Sequence, residues 1–260
     1  MTSKVIQVAD NFWNIRGSFK IKGVINIGTH ASLIRTKSGK FIFLDSLTLE
    51  GETREEINKL TKNGKDVEAV LNVHPFHTIH VNKMHEDYPN AKHYGTARHL
   101  QKAPKLNWEE YKTEDKELHD MFSADLEFSI PRGVDFISQD ESLHFSSVLV
   151  YHPSSRTIHV DDTLMYIDLP KIMNLFGMTD PISFHPTLSN VLEKRKGAAD
   201  EFEQWTKEMA KSWSDADNLC AAHTASLTGQ ENQGASIHDR IIKALNKVQS
   251  KLQSHKKQFE

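Results

Sequence analysis

The run at residues 67–73, VEAVLNV, is the feature that most limits how this chain can fold. A short, mainly apolar strand of this kind is buried on both faces, which places it inside a sheet. The segment before it, TREEINKLTKNG, has acidic residues in its first turn and closes on Asn63-Gly64, the marks of a short helix with both ends defined. A strand, a helix and a buried strand in that order predict an α/β protein. The buried strand then leads straight into imidazole. Residues 69–99 hold six of the fifteen histidines: His74, His77, His80, His85, His93 and His99. Two readings are open for such a cluster, metal binding or a loop of solvated polar residues.

Around this unit the pattern is β-rich before and helical after. ASLIRTKSGKFIFLDS reads as a hairpin, with strands at 32–36 and 41–45 and a turn around Gly39. HVNKMHEDYP predicts a helix stopped by Pro89, AKHYGT a short strand and TARHLQKA a short helix. Residues 103–135 are polar and acidic with weak periodicity, and an insertion or lid is expected there. SLHFSSVLVYHPSSRTIHVDD is a second hairpin, with strands at 145–152 and 157–161. Residues 189–260 read as largely helical. One amphipathic stripe runs through Val191, Leu192, Phe202, Trp205, Met209 and Trp213, and another through Ile237, Ile241, Ile242, Leu245, Val248 and Leu252. The second stripe suits the core or the contact of a homodimer. The whole, residues 1–260, is expected to form a single domain.

Several function classes drop out on composition. The net charge is −3 and there is no dense basic stripe, so nucleic acid is not an expected partner. The single cysteine, Cys220, excludes an internal disulfide and a cysteine-cluster zinc site, and fits a reducing compartment. The stretch MTSKVIQVADNFW has no apolar core of signal-peptide length, and no 18-residue apolar run occurs. A cytoplasmic protein without a membrane partner is the expectation. Neither a G-x-x-x-x-G-K-[ST] nor a G-x-G-x-x-G loop is present, and there is no G-x-S-x-G elbow.

The remaining motifs come in a recognisable order. A hairpin ending in FLDS, a helix, a buried strand, NVHPFH, YPNAKHYGT, a second hairpin with HVDDTL and a late CAAHTAS together resemble the metallo-β-lactamase superfamily. The resemblance covers roughly residues 20–225. It implies a four-layer αβ/βα sandwich, here with extra helices at the C-terminus, that binds one or two metal ions at the sheet edges. The family's loop signature is H-x-H-x-D-H. In the register Asn72, His74, Phe76, His77, two ligands survive, while the first histidine is replaced by Asn72 and the aspartate by Phe76. SLHFSS sits at the family's G-H-T-x-G-S segment and nominates His144. IHVDDTL resembles G-D-T-L, which makes Asp162 the bridging carboxylate and catalytic residue. CAAHTAS nominates His223.

By that resemblance the metal ligands are His74, His77, His144, Asp162 and His223. Two dications facing a single carboxylate would repel strongly, so one ion or none is expected, with zinc first and iron as the alternative. The implied activity is metal-dependent hydrolysis of a small-molecule ester or lactone. The alternatives are a non-catalytic scaffold or binding module that has lost its metal, and an iron-binding oxidoreductase or sensor of the same fold. His80 and His85 are expected to be solvated, and Asp45 to be structural.

Overall fold

In β-strands every second side chain shares a face, and this alternation sorts the core of the protein into layers. The structure is a computed structural model that describes residues 4–21, 25–26, 28–166, 182–222, 225–230, 232 and 235–259. The N-terminal half contains β1 (Lys4–Ala9), β2 (Phe12–Gly17), β3 (Lys20–Ile21), β4 (Ile25–Asn26), β5 (Thr29–Arg35), β6 (Phe41–Leu44), α1 (Gly51–Leu60), β7 (Val67–Leu71), α2 (Val81–Asp87), β8 (Lys92–Tyr94) and α3 (Ala97–Lys102). The remainder contains α4 (Lys116–Phe122), β9 (Glu127–Ser129), β10 (Leu149–His152), β11 (Thr157–Val160), β12 (Leu164–Tyr166), β13 (Ile182–Phe184), α5 (Leu188–Val191), α6 (Ala198–Ser212), β14 (Asn218–Ala221), β15 (Ser226–Leu227) and α7 (Ile237–Phe259).

The first sheet has the order β1-β2-β5-β6-β7-β8, and β6, β7 and β8 run parallel. Its outer face presents Trp13, Ile15, Leu33, Phe43 and Val70 to Ile57 of α1 and Met84 of α2. Its inner face presents Phe12, Ile34, Leu44 and Leu71 to Val148, Val150 and Cys220 of the opposing layer. The second sheet, β15-β14-β11-β10-β9, turns Leu149, Tyr151, Ile158, Val160 and Leu219 outward onto α6 and α7. Helix, sheet, sheet and helix form the four-layer sandwich, and β7 lies inside its sheet as the apolar run demanded. Cys220 is buried between the sheets, and burial pushes its thiol up to about 12.

Residues 103–135 are built into the fold. They supply α4 and the edge strand β9, which pairs with β10, and they bury Leu118 and Leu126 between the sheets. Two indole N–H groups of the α6 region fasten β9: Trp205 donates to Ser129 at 2.8 Å and Trp213 to Glu127 at 2.9 Å. The second apolar stripe serves the core: Ile237, Ile241, Leu245 and Leu252 of α7 pack into the cluster beneath them. Among the described residues, no helix is long and apolar enough to cross a membrane.

Candidate metal centre

The histidine loop starts where β7 ends, and its backbone is fixed before any side chain is placed. Asp45 follows β6 in a left-handed conformation, φ 61°, and its Oδ1 accepts the Val73 N–H at 2.9 Å. Val148 N–H donates to the Val73 carbonyl at 2.9 Å. Asn72 has both ends of its amide occupied: Oδ1 accepts from Ser46 Oγ at 2.6 Å and Nδ2 donates to the Tyr94 carbonyl at 3.0 Å. It is a strut beneath the loop.

From this base His74 and His77 reach the end of β11, where Asp161 and Asp162 follow. His74 Nε2 lies 3.2 Å from Asp162 Oδ2, and His77 Nε2 lies 3.6 Å from the same oxygen. The two imidazoles stack with centres 4.0 Å apart. Each of the three residues offers a ligand atom within 4.8 Å of the other two. These are three of the five residues nominated from the sequence.

The other two stand differently. His144 Nε2 donates to the Glu141 carbonyl at 2.7 Å, and its ring stacks on Phe76 at 4.6 Å. It stands beside the ligand group without joining it, its ring centre 6.2 Å from that of His74, and the Arg98 guanidinium lies 4.4 Å over the Phe76 ring. His223 lies outside the described residues. His80 is not simply solvated, since Nδ1 is 2.9 Å from Thr48 Oγ1; His85 stacks on His93 at 3.7 Å.

A second buried cluster was missed in the sequence: His30, His159 and Asp161, with Asp45 beside them. His30 Nε2 is 3.2 Å from Asp161 Oδ1, and His159 Nε2 is 3.1 Å from Asp45 Oδ2. The two rings stack at 4.5 Å. Both imidazoles have their second nitrogen engaged as well, His30 by Asn14 at 3.0 Å and His159 by Ser32 at 2.9 Å. With both nitrogens of both rings engaged, the cluster stands as a buried hydrogen-bond network, and His30, His159 and Asp161 also offer ligand atoms within 4.8 Å of one another. The available signal was period two: His30 with Ser32, and His159 with Asp161, put polar pairs at alternate positions, between the apolar residues Ala31 and Leu33 on one strand and Ile158 and Val160 on the other. Buried polar groups in such a position must find hydrogen-bond partners.

Charge in this region is tightly balanced. Burial would lower the pKa of His77, but the Asp161 and Asp162 carboxylates outweigh it and hold the imidazole well above its usual value. Burial would raise Asp161, but His77 and His30 keep it well below the usual carboxylate range. Asp45 is displaced upward by burial and by the neighbouring Asp161 charge. The His77 imidazole and the Asp161 carboxylate, 3.4 Å apart, thus favour each other's charged forms.

Two imidazoles and one carboxylate make the donor set of a three-ligand catalytic zinc site or of a non-haem iron facial triad. His74 Nε2 is buried and makes no hydrogen bond, a state that a cation would relieve. One contact opposes this: Phe76 N–H points at His74 Nδ1 at 3.1 Å, whereas ligation through Nε2 needs the ring proton on Nδ1. Losing that hydrogen bond costs about 1 kcal/mol, small beside the ~10 kcal/mol available from zinc in small domains. The residues fit one ion.

Two histidines away from this centre predict acid sensitivity. Burial pushes His93 and His152 down to about 4. Both are neutral in the fold, while the unfolded chain takes up their protons below about 6.5. Their contribution is complete above pH 6.5 and is lost as pH falls towards 4. By pH 5 the loss should be on the order of 1 kcal/mol each, read as a lower urea midpoint than at pH 7. Glutamine at 152 should remove its part of that slope.

No family model and no curated protein matches the sequence. Solved structures do match. A metallo-β-lactamase from Pontibacter korlensis superposes with a TM-score of 0.58 at 10% identity, covering 94% of this chain and 99% of that one. One from Erythrobacter litoralis, with β-mercaptoethanol in its active site, gives 0.59 at 14%, covering 94% and 96%. FIM-1 from Pseudomonas aeruginosa, in its mono-zinc form, gives 0.60 at 10%, covering 95% and 96%.

Proposed function

We propose that this chain, which has the metallo-β-lactamase fold, is a metal-dependent hydrolase with one ion held by His74, His77 and Asp162. Zinc is the first choice and iron the alternative. The observation that supports this is the approach of two imidazoles from an anchored loop to a single oxygen of Asp162. When bound, the ion supplies Lewis acidity at neutral pH.

The protein's own groups do the rest. Asp162 and His77 orient whatever lies between them. Phe76, backed by Arg98 and His144, forms an apolar wall that keeps water from one side. Ile79 is 69% exposed and extends that apolar character along the loop. Arg98 is already paired with Glu141 at 3.1 Å, which leaves a small neutral ester or lactone as the substrate class best suited to the wall.

Elemental analysis before and after zinc or iron reloading, followed by assays with p-nitrophenyl acetate and a simple lactone, tests this reading. About one ion per chain and turnover lost on chelation are expected. If no metal is retained under either loading, the reading fails. Phe76 would then mark a binding module, the function favoured by an aromatic side chain where the family's motif has a carboxylate.

A further inference from the structure

An imidazole can present one nitrogen to an ion reliably only if the other is fixed. Ligating histidines commonly donate that second N–H to a carboxylate, which sets both tautomer and ring orientation. Around His77 this arrangement can be traced through three further residues on the strands behind the loop.

It starts at Asn14 on β2. Its Nδ2 lies 3.2 Å from the Ala31 carbonyl and 3.1 Å from Ser32 Oγ, two acceptors that share its protons, and its Oδ1 accepts from Ser226 Oγ at 2.9 Å. These contacts fix which end of the amide is nitrogen. The same Nδ2 lies 3.0 Å from His30 Nδ1, which must therefore be an acceptor. Neutral His30 then carries its proton on Nε2, 3.2 Å from Asp161 Oδ1. That same oxygen lies 3.4 Å from His77 Nδ1. A parallel arm runs from Ser32 through His159 to Asp45, and ends on the Val73 N–H at the root of the loop. One arm grips the imidazole and the other grips the backbone that carries it.

We propose that Asp161, oriented by Asn14 and His30, is a positioning residue for the ion site: it accepts the His77 Nδ1–H and so commits Nε2 to face Asp162. Asp161 is fully buried, so it acts through His77 and not on substrate. It stands where the resembled G-D-T-L segment has glycine, so this contact belongs to the chain's own sequence. Asn14 and His30 sit on paired strands, which hold the carboxylate more rigidly than a loop could. The proposal rests on the metal reading given above.

The test uses the full chain with zinc as probe, comparing Asp161→Asn, His30→Leu and His30→Gln with the parent. Asp161→Asn and His30→Leu should weaken zinc binding by about 10- to 100-fold, measured against a competing chromophoric chelator, with stoichiometry unchanged. His30→Gln keeps an N–H to offer Asp161 and should stay near the parent. Nitrogen-15 histidine NMR of the zinc-loaded parent should show His77 protonated on Nδ1 and ligated through Nε2. Parent affinity in both weakened variants overturns the proposal, as does a His77 ligated through Nδ1. A drop in stoichiometry in Asp161→Asn also overturns it, by making Asp161 a ligand. If Asp161→Asn does not fold, the His30 pair and the NMR tautomer decide the matter. A parent that binds no zinc fails the metal reading itself, and the proposal with it.

Discussion

His74→Ala is expected to take the protein from about one bound ion per chain to none, and to lower metal-dependent ester hydrolysis by at least ~100-fold, since losing even an outer partner of a ligand costs 10- to 100-fold. Among the described residues, no further histidine or carboxylate joins the His74, His77 and Asp162 group. His144 Nε2 is held by the Glu141 carbonyl, and its ring is stacked on Phe76. The loop root cannot shift, because Asp45 and Val148 hold Val73 on both sides. His144→Ala should accordingly keep the ion. Elemental analysis with kcat/KM on p-nitrophenyl acetate reads both variants. An ion retained in His74→Ala, or lost in His144→Ala, would reassign the ligands.

Gly133→Ala should be among the most damaging single-methyl changes available. Gly133 has φ 70°, and a Cβ there would stand 2.0 Å from the Ala198 carbonyl oxygen in the first turn of α6. Left-handed backbone costs a non-glycine residue about 1–2 kcal/mol and overpacking a further ~1–3 kcal/mol, so a loss of roughly 2–5 kcal/mol is expected. That is a large part of the ~5–15 kcal/mol by which ordinary domains are stable. Gly39 separates the two effects, since its φ is 83° but nothing lies within 4 Å of an added Cβ. Gly39→Ala should show only the smaller backbone cost. Equal shifts in the urea midpoint for both variants would mean that the approach of residue 133 to α6 is not as tight as described.

The elements between residues 41 and 102 were legible because each carries a local signal, such as an apolar run, an acidic first turn or a stopping proline. The edge strand β9 was not, because it has three residues and the apolar side chains around it, Leu118, Phe122, Leu126 and Phe128, fall at no single period. The same distinction holds at the centre. His74, His77 and Asp162 were readable from two short motifs. His144 was nominated by its place in an order of elements, and that order does not register that Phe76 changes what a neighbouring imidazole can reach. His30, His159 and Asp161 come together only because β5 and β11, from different sheets, face each other across the core. Sequence spacing carries no record of that distance, although the alternating polar pairs on both strands announced that something buried would have to be satisfied.

The division of the centre between the two sheets also has a kinetic meaning. The strands of the first sheet follow one another closely along the chain, so it can form from near-neighbour contacts. The second cannot: β11 pairs in parallel with β14, which is synthesised only after β12, β13 and α6. Pairing of that kind is slow, because a long loop must close before it is rewarded. His74 and His77 belong to the early half and Asp162 to the late one. In refolding, acquisition of a tightly held ion should therefore lag behind the far-ultraviolet signal of the sheets, which makes the centre a reporter of the moment at which the two halves dock.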